Sequence, residues 1–177
     1  MSLWVNQFMN SSERGEWAEM RFLGRASEQR FRVSKPWGNT SPYDLMVEKE
    51  GAIYRVQVKS TTAKVSAKGY NCGMPTGKRL QNILKEIDFV AAYVIPLDLW
   101  YIIPAGVVRV RKGKISLHPW CRRSKYERYL EAWYLLRKWR EGEKSAGALK
   151  RARSRAARER RGGRPGPIGR PKEVRVG

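Results

Sequence analysis

Sulfur, imidazole and acid are all scarce in this 177-residue chain, which has two cysteines, one histidine and 16 acidic residues. Cys72 and Cys121 are too few and too far apart for a disulfide framework, and they read as packed or surface residues in a reducing cytoplasm. With His118 they make three candidate zinc ligands, whereas a structural zinc site takes four nitrogen or sulfur ligands. Zinc is therefore not expected. No apolar run is long enough to span a bilayer, and Met1-Ser2-Leu3-Trp4 lacks the charged-then-apolar plan of a signal peptide. Neither a membrane partner nor an internal repeat is expected.

Against this shortage of acid stand 37 lysines and arginines, for a formal net charge of +21. Such a surface favours phosphate backbones as partners. Residues 141–177 carry 12 basic and 4 acidic residues, a net of +8, which leaves +13 on residues 1–140. A polyanion should therefore meet the folded body as well as the end of the chain. We expect one domain over residues 1–140, with seven tryptophans and eight tyrosines supplying much of its core, and a basic, flexible tail over 141–177. In that tail, residues 144–161 are rich in Arg and Ala and 162–177 in Gly and Pro. Gly163-Arg164-Pro165 and Gly169-Arg170-Pro171 resemble the Gly-Arg-Pro core of minor-groove AT-hooks, but such three-residue matches in a biased tail are weak, and a non-specific polybasic tail is the preferred reading.

Hydrophobic spacing predicts a helix over about 11–28, with Asn10, Ser11 and Ser12 as N-cap candidates. Ala18, Phe22, Leu23 and Ala26 mark its apolar side. Glu19 shares that inward side, where a carboxylate needs a partner or a task; Glu16 is the rival. Strands are predicted over 30–34, 43–48 and 53–60, with Glu50-Gly51 turning the second into the third. Residues 61–79 show no period and read as a long functional or mobile loop. A short helix over 80–86, strands over 89–95 and 100–103, and a hairpin over 107–117 around Lys112-Gly113 follow. Tyr126, Tyr129, Leu130, Trp133 and Leu136 predict an amphipathic helix over 124–140, whose apolar stripe would be core or a subunit contact.

Side chains two apart on a strand share a face. Arg55, Gln57 and Lys59 thus line one side of the third strand, and Tyr54, Val56 and Val58 the other. Asp44 comes from the adjacent strand, after a loop of Pro, Gly and Asn, and Glu19 from the inward side of the helix. A solvated sheet face is the plain alternative. An acid, an amide oxygen donor and a lysine converging in so basic a chain instead suggest metal-dependent cleavage of a polyanion. The natural partner for these acids is a hard cation with oxygen ligands.

Gly15-Glu16-Trp17-Ala18-Glu19, Pro42-Tyr43-Asp44, Gln57-Val58-Lys59, Asp88-Phe89-Val90 and Trp100-Tyr101-Ile102-Ile103-Pro104 together resemble the PD-(D/E)-x-K nuclease superfamily. The similarity spans about residues 12–105 and points to the group I intron-associated endonucleases, a branch near the archaeal Holliday junction resolvases. Two departures stand out: Tyr43 separates the proline from Asp44, and Gln57 occupies a position usually held by an acid. The intron-associated branch is known for glutamine there.

The resemblance implies an α/β fold with a restriction-endonuclease-like core, a central mixed β-sheet flanked by helices, to which the predicted C-terminal helix and basic tail are added. It further implies that Asp44 is the central metal-bridging carboxylate, that Gln57 donates its side-chain oxygen, and that Val58 adds a carbonyl. Lys59 would orient or polarise the attacking water, and Glu19 would support the metal. Mg2+ is the implied ion, with Mn2+ as a substitute. The expected function is a metal-dependent endonuclease acting on double-stranded DNA, plausible as a group I intron homing enzyme. Lys35, Lys64, Lys68, Lys78 and Arg79 are its candidate DNA contacts. Double-strand cleavage by a single catalytic centre implies a homodimer or higher homo-oligomer. The rivals are a structure-selective nuclease on branched DNA and a non-catalytic nucleic-acid-binding protein.

Overall fold

The computed structural model describes residues 10–38, 40–67 and 69–137. The tail expected over 141–177, with both its Gly-Arg-Pro motifs, lies outside the described residues, as does Lys68.

Helix α1 spans Ser11–Glu28, and Asn10 is its cap: the Asn10 Oδ1 accepts from the Ser12 and Glu13 amides at 2.9 Å each. Those two donors have no carbonyl one turn earlier, so an Asn at this position stabilises the helix by about 1 kcal/mol. Ala18, Phe22 and Ala26 are fully buried at four-residue intervals, which sets the inward face. Leu23, expected on that face, is 42% exposed because it lies off this line.

The strands are β1 (Arg32–Ser34), β2 (Leu45–Lys49), β3 (Ala52–Thr61), β4 (Lys64–Ser66), β5 (Gly69–Gly73), β6 (Phe89–Val94), β7 (Leu99–Pro104) and β8 (Lys114–Leu117); helix α2 spans Gly77–Glu86. The five-stranded sheet has the order β1-β2-β3-β6-β7, with β3 and β6 parallel and the other pairs antiparallel. It is the central mixed sheet that the sequence led us to expect. Lys49 pairs with Ala52 across Glu50-Gly51, whose φ values of 53° and 81° are those of a two-residue type I′ turn. Every residue of β6 is buried, as an uninterrupted apolar run at the centre of a sheet covered on both faces should be.

One face packs against α1. There Tyr93 stacks on Trp100 with centroids 4.3 Å apart, and Phe22 lies 5.3 Å from both Trp100 and Trp133. The other face is covered by a second core that includes Tyr70, Cys72, Ile115 and Leu117. These residues come from a three-stranded sheet, β4-β5-β8. Residues 61–79 are therefore not the structureless loop expected: β4, β5 and the start of α2 fall within them. Nor do 107–117 form a self-contained hairpin. Arg111 and Lys114 share a single bridge, while β8 pairs with β5, because Ile115 and Leu117 bury themselves beside Tyr70 and Cys72.

The helix expected over 124–140 is absent from its described part, which holds two 3-10 turns, Glu127–Tyr129 and Trp133–Leu136. The cause is tertiary. Glu131 adopts φ 48°, its amide donates to the Trp100 carbonyl at 2.7 Å, and its carboxylate accepts from the Trp100 amide at 2.6 Å and from the Trp133 indole at 2.8 Å. Leu130 bridges to Tyr101. Satisfying the outer edge of β7 outweighs the helical preference of the segment. Its apolar stripe is nonetheless core: Tyr126, Trp133 and Leu136 are buried.

Candidate active site

The site forms where β2 and β3 run side by side. Asp44 immediately precedes β2, and its amide donates to the Val56 carbonyl at 3.0 Å, so that the residue joins the ladder at its end. Its Oδ2 accepts from the Val58 amide at 2.6 Å and from the Gln57 side-chain amide. One carboxylate is thus tied both to the backbone and to a side chain of the neighbouring strand.

Gln57 is only 7% exposed, so the sheet face considered above is not solvated at its centre, although the Arg55 side chain remains 37% exposed. β5 crosses this side of β3 and is held there by Thr61, whose hydroxyl donates to the Asn71 carbonyl at 2.6 Å and accepts from the Ala63 amide at 3.0 Å. Gln57, Lys59 and Thr61 share a face by strand alternation. Lys59 therefore stands between the buried amide and the cross-sheet anchor. It lines a cavity of about 510 Å3 together with Gly73, Met74, Pro75, Thr76 and Arg79. Apart from Arg79, none of these lining residues was singled out from the sequence; a five-residue strand with a glycine at each end leaves little periodic signal.

Burial pushes the Asp44 carboxyl up from the usual carboxylate range, the Glu19 charge pushes the same way, and Lys59, the Val58 amide and Lys35 only partly offset them. Asp44, Lys59, Glu19 and Lys35 thus belong to one electrostatic neighbourhood. Glu19, on α1, forms an ion pair of 2.8 Å with Lys35, which raises the lysine above its ordinary value. Lys35 therefore serves first as a partner of Glu19, with its side chain still 57% exposed. Glu16 is exposed and contributes only through its charge on Lys35. Of the other expected DNA contacts, Lys64, Lys78 and Arg79 are exposed, and Lys68 lies outside the described residues.

The donor set suits a hard cation. It offers one carboxylate, one carboxamide and the Val58 carbonyl, all oxygen donors. A buried carboxyl pushed upward by its surroundings is short of positive charge, and a divalent ion would supply it. The Gln57 amide has a donor and an acceptor end of nearly the same shape; turned over, it presents Oε1 where it now donates. Among the described residues no group of three or more His, Cys, Asp or Glu could hold a metal, so any metal site here depends on the amide and on backbone oxygen. Cys72, a weighed zinc ligand, is fully buried, which pushes its thiol up to about 12 and leaves it protonated. Among the described residues no helix is long and apolar enough to cross a membrane.

The sequence model of the PD-(D/E)XK endonuclease family matches residues 9–135. Among solved structures, the bacterial homing endonuclease I-Ssp6803I is 28% identical, with a TM-score of 0.63, over 77% of this chain and 98% of its own. The Hjc Holliday junction resolvase of Archaeoglobus fulgidus is 14% identical, with a TM-score of 0.49, over 70% of this chain and 95% of its own. No curated protein matches the chain.

Proposed function

Because the chain belongs to the PD-(D/E)XK endonuclease family, whose members are nucleases, we propose that it is a divalent-metal-dependent endonuclease that hydrolyses phosphodiester bonds in double-stranded DNA. The observation that carries this reading is the Asp44 carboxylate, bound by the Val58 amide and Gln57 and subject to the charge of Lys59. Asp44, the Gln57 amide oxygen and the Val58 carbonyl would hold Mg2+, or Mn2+ in its place. When bound, such an ion supplies Lewis-acid polarisation of a phosphate and lowers the pKa of an attacking water.

The chain's own residues do the rest. Lys59 presents its ammonium group in the cavity beside the acid, where it orients the water and stabilises charge on the phosphate oxygens. The Val58 amide fixes the carboxylate of Asp44, so its orientation costs nothing when substrate arrives. Glu19, held by Lys35, adds negative charge next to Asp44 and thereby favours the cation. Lys64, Lys78 and Arg79, with Lys35 at the rim, would contact the DNA backbone. Binding of this kind weakens steeply as salt rises. Its 28% identity to a bacterial homing endonuclease over most of the chain supports a homing role, and double-strand cutting would then require a homo-oligomer.

The test is direct. Supercoiled plasmid and long genomic DNA are incubated with the protein in Mg2+ or in EDTA, beside Lys59→Ala. We expect cutting in Mg2+ that is lost in EDTA and reduced at least a hundredfold in the variant. DNA shifting without nicking, in every metal and salt tried, would replace this reading with that of a binding protein.

A further inference from the structure

A second cavity, of about 860 Å3, does not include Lys59 and is lined by Arg109, Arg111, Lys114, His118, Arg123 and Lys125 among others. No acid is among its described lining residues. Among the described residues, none of its lysines and arginines forms an ion pair with a carboxylate. Burial, and then the charges of Arg109 and Arg111, push the Lys125 ammonium below its ordinary value. Like charges have thus been brought together without a counter-charge, an arrangement that costs free energy unless an anion occupies it.

The architecture explains how they converge. Along β8 the inward residues Ile115 and Leu117 are buried, so Lys114 and Ser116 face outward by alternation. With His118 they form a polar row about 13 Å long at strand rise. The opposite wall, residues 123–126, is fastened by Tyr126: its hydroxyl accepts from the Arg109 amide at 2.8 Å and donates to the Arg109 carbonyl at 3.2 Å. Glu127, next along the chain, forms no ion pair with this wall among the described residues; its Oε2 is buried, and its charge bears on the buried Tyr101 hydroxyl.

This groove adjoins the cavity of Lys59. Gly73, which lines that cavity, pairs in register with Lys114, and the Met74 amide donates to the Gly113 carbonyl at 2.8 Å. The two openings flank one strand seam.

We propose that this groove is a second DNA-backbone site, which takes successive phosphates of the duplex beyond the one being cut. The proposal rests on the nuclease reading for its choice of DNA. A groove open to solvent, with a polar row about 13 Å long on one side and the cations Arg109, Arg111, Lys114, Arg123 and Lys125 along its walls, fits a run of phosphates spaced 3.4 Å apart along the duplex axis better than it fits one small anion.

The experiment measures binding without cleavage. Anisotropy of a labelled duplex is followed in EDTA across a KCl series for the wild type, for Arg111→Ser/Lys114→Ser/Lys125→Ser, and for a charge-matched control, Arg30→Asn/Lys85→Ser/Arg128→Ser. Each lost phosphate contact lowers the slope of log affinity against log salt by about 0.9. We expect the groove variant to lose about 2–3 in slope, on duplexes of any sequence, and the control to lose less than 1. Equal slopes in the groove variant and the wild type, or equal losses in both variants, would overturn the proposal. Because no cleavage is needed, a wild-type protein that shows this pattern yet cuts DNA in no metal would keep the groove and remove the nuclease reading.

Discussion

Gln57 offers a test in which the sign of a stability change depends on metal. In the structure its amide donates to Asp44 Oδ2, with Gln57 buried and Asp44 half-buried. Gln57→Leu removes this bond, leaving the carboxylate with the Val58 amide. A hydrogen bond to a charged group contributes about 1.5–3 kcal/mol, and that is the loss expected in EDTA. Gln57→Glu sets two carboxylates against each other. Unit charges 4 Å apart repel by about 4 kcal/mol at an effective dielectric of 20, a ceiling that is not reached because one of them takes up a proton. In EDTA this variant should be at least as unstable as Gln57→Leu. A bound cation reverses the order. At a hundred times its dissociation constant, a ligand specific for the native state stabilises by about 2.7 kcal/mol. Gln57→Glu, with two anionic oxygens, should gain more than the wild type and Gln57→Leu less. Urea midpoints of the three proteins, in EDTA and along a Mg2+ titration at fixed pH, give the comparison directly. An equal Mg2+ response in all three would refute the assignment of Gln57 to a metal, whatever the EDTA values.

Two further predictions concern stability. Glu131→Ala strips the acceptors from the Trp100 amide and the Trp133 indole; with buried donors left unmet, a loss of about 3 kcal/mol is expected, read from urea unfolding by tryptophan fluorescence, and a loss below about 1 kcal/mol would contradict the role given to it. Asp98 accepts from Tyr93 at 2.6 Å and from Arg21 and Arg25 at 3.1 Å each; burial alone would raise its carboxyl, but these bonds and charges hold it below the usual range. A depressed folded value means stability present above the unfolded pKa of about 3.9 and lost as pH falls through the folded one. With its side chain 48% exposed, the discounted contribution is under about 1 kcal/mol. The urea midpoints of the wild type and Asp98→Asn should therefore differ at pH 6, and the gap should narrow as pH falls below 4; a gap of the same size at pH 6 and pH 2 would show that the effect is not titration of this group.

The parts of this fold that could be read in advance are those decided locally. The Asn10 cap, the Ala18-Phe22-Ala26 line and the Glu50-Gly51 turn each depend on a few neighbouring residues, and the alternation in β3 placed Gln57 and Lys59 on one face. Asp44 was legible because an acid after a Pro-Gly-Asn loop falls opposite that strand once the hairpin closes. What escaped was decided at a distance. The helical spacing of Tyr126, Tyr129, Trp133 and Leu136 is genuine, but Glu131 answers to the Trp100 backbone 31 residues away. β5 is too short to show a period, and only its packing with Ile115 and Leu117 reveals why Gln57 is covered. The groove beside β8 was invisible for the same reason: its arginines and lysines look like any others in a uniformly basic sequence, and they face one another only through the pairing of β8 with β5 and the bonds of Tyr126 to the Arg109 backbone.

The fastening of Leu130 and Glu131 onto Trp100 and Tyr101 also constrains how copies of this protein can join. Continuous sheets across a two-fold axis need a rim with idle amides and carbonyls, and on the β7 side that rim is engaged at Trp100 and Tyr101 by the protein's own chain. The opposite rim, β1, offers only three residues. Of the two rims of this five-stranded sheet, one is thus short and the other partly engaged, so neither offers a long free edge to which a further strand could add.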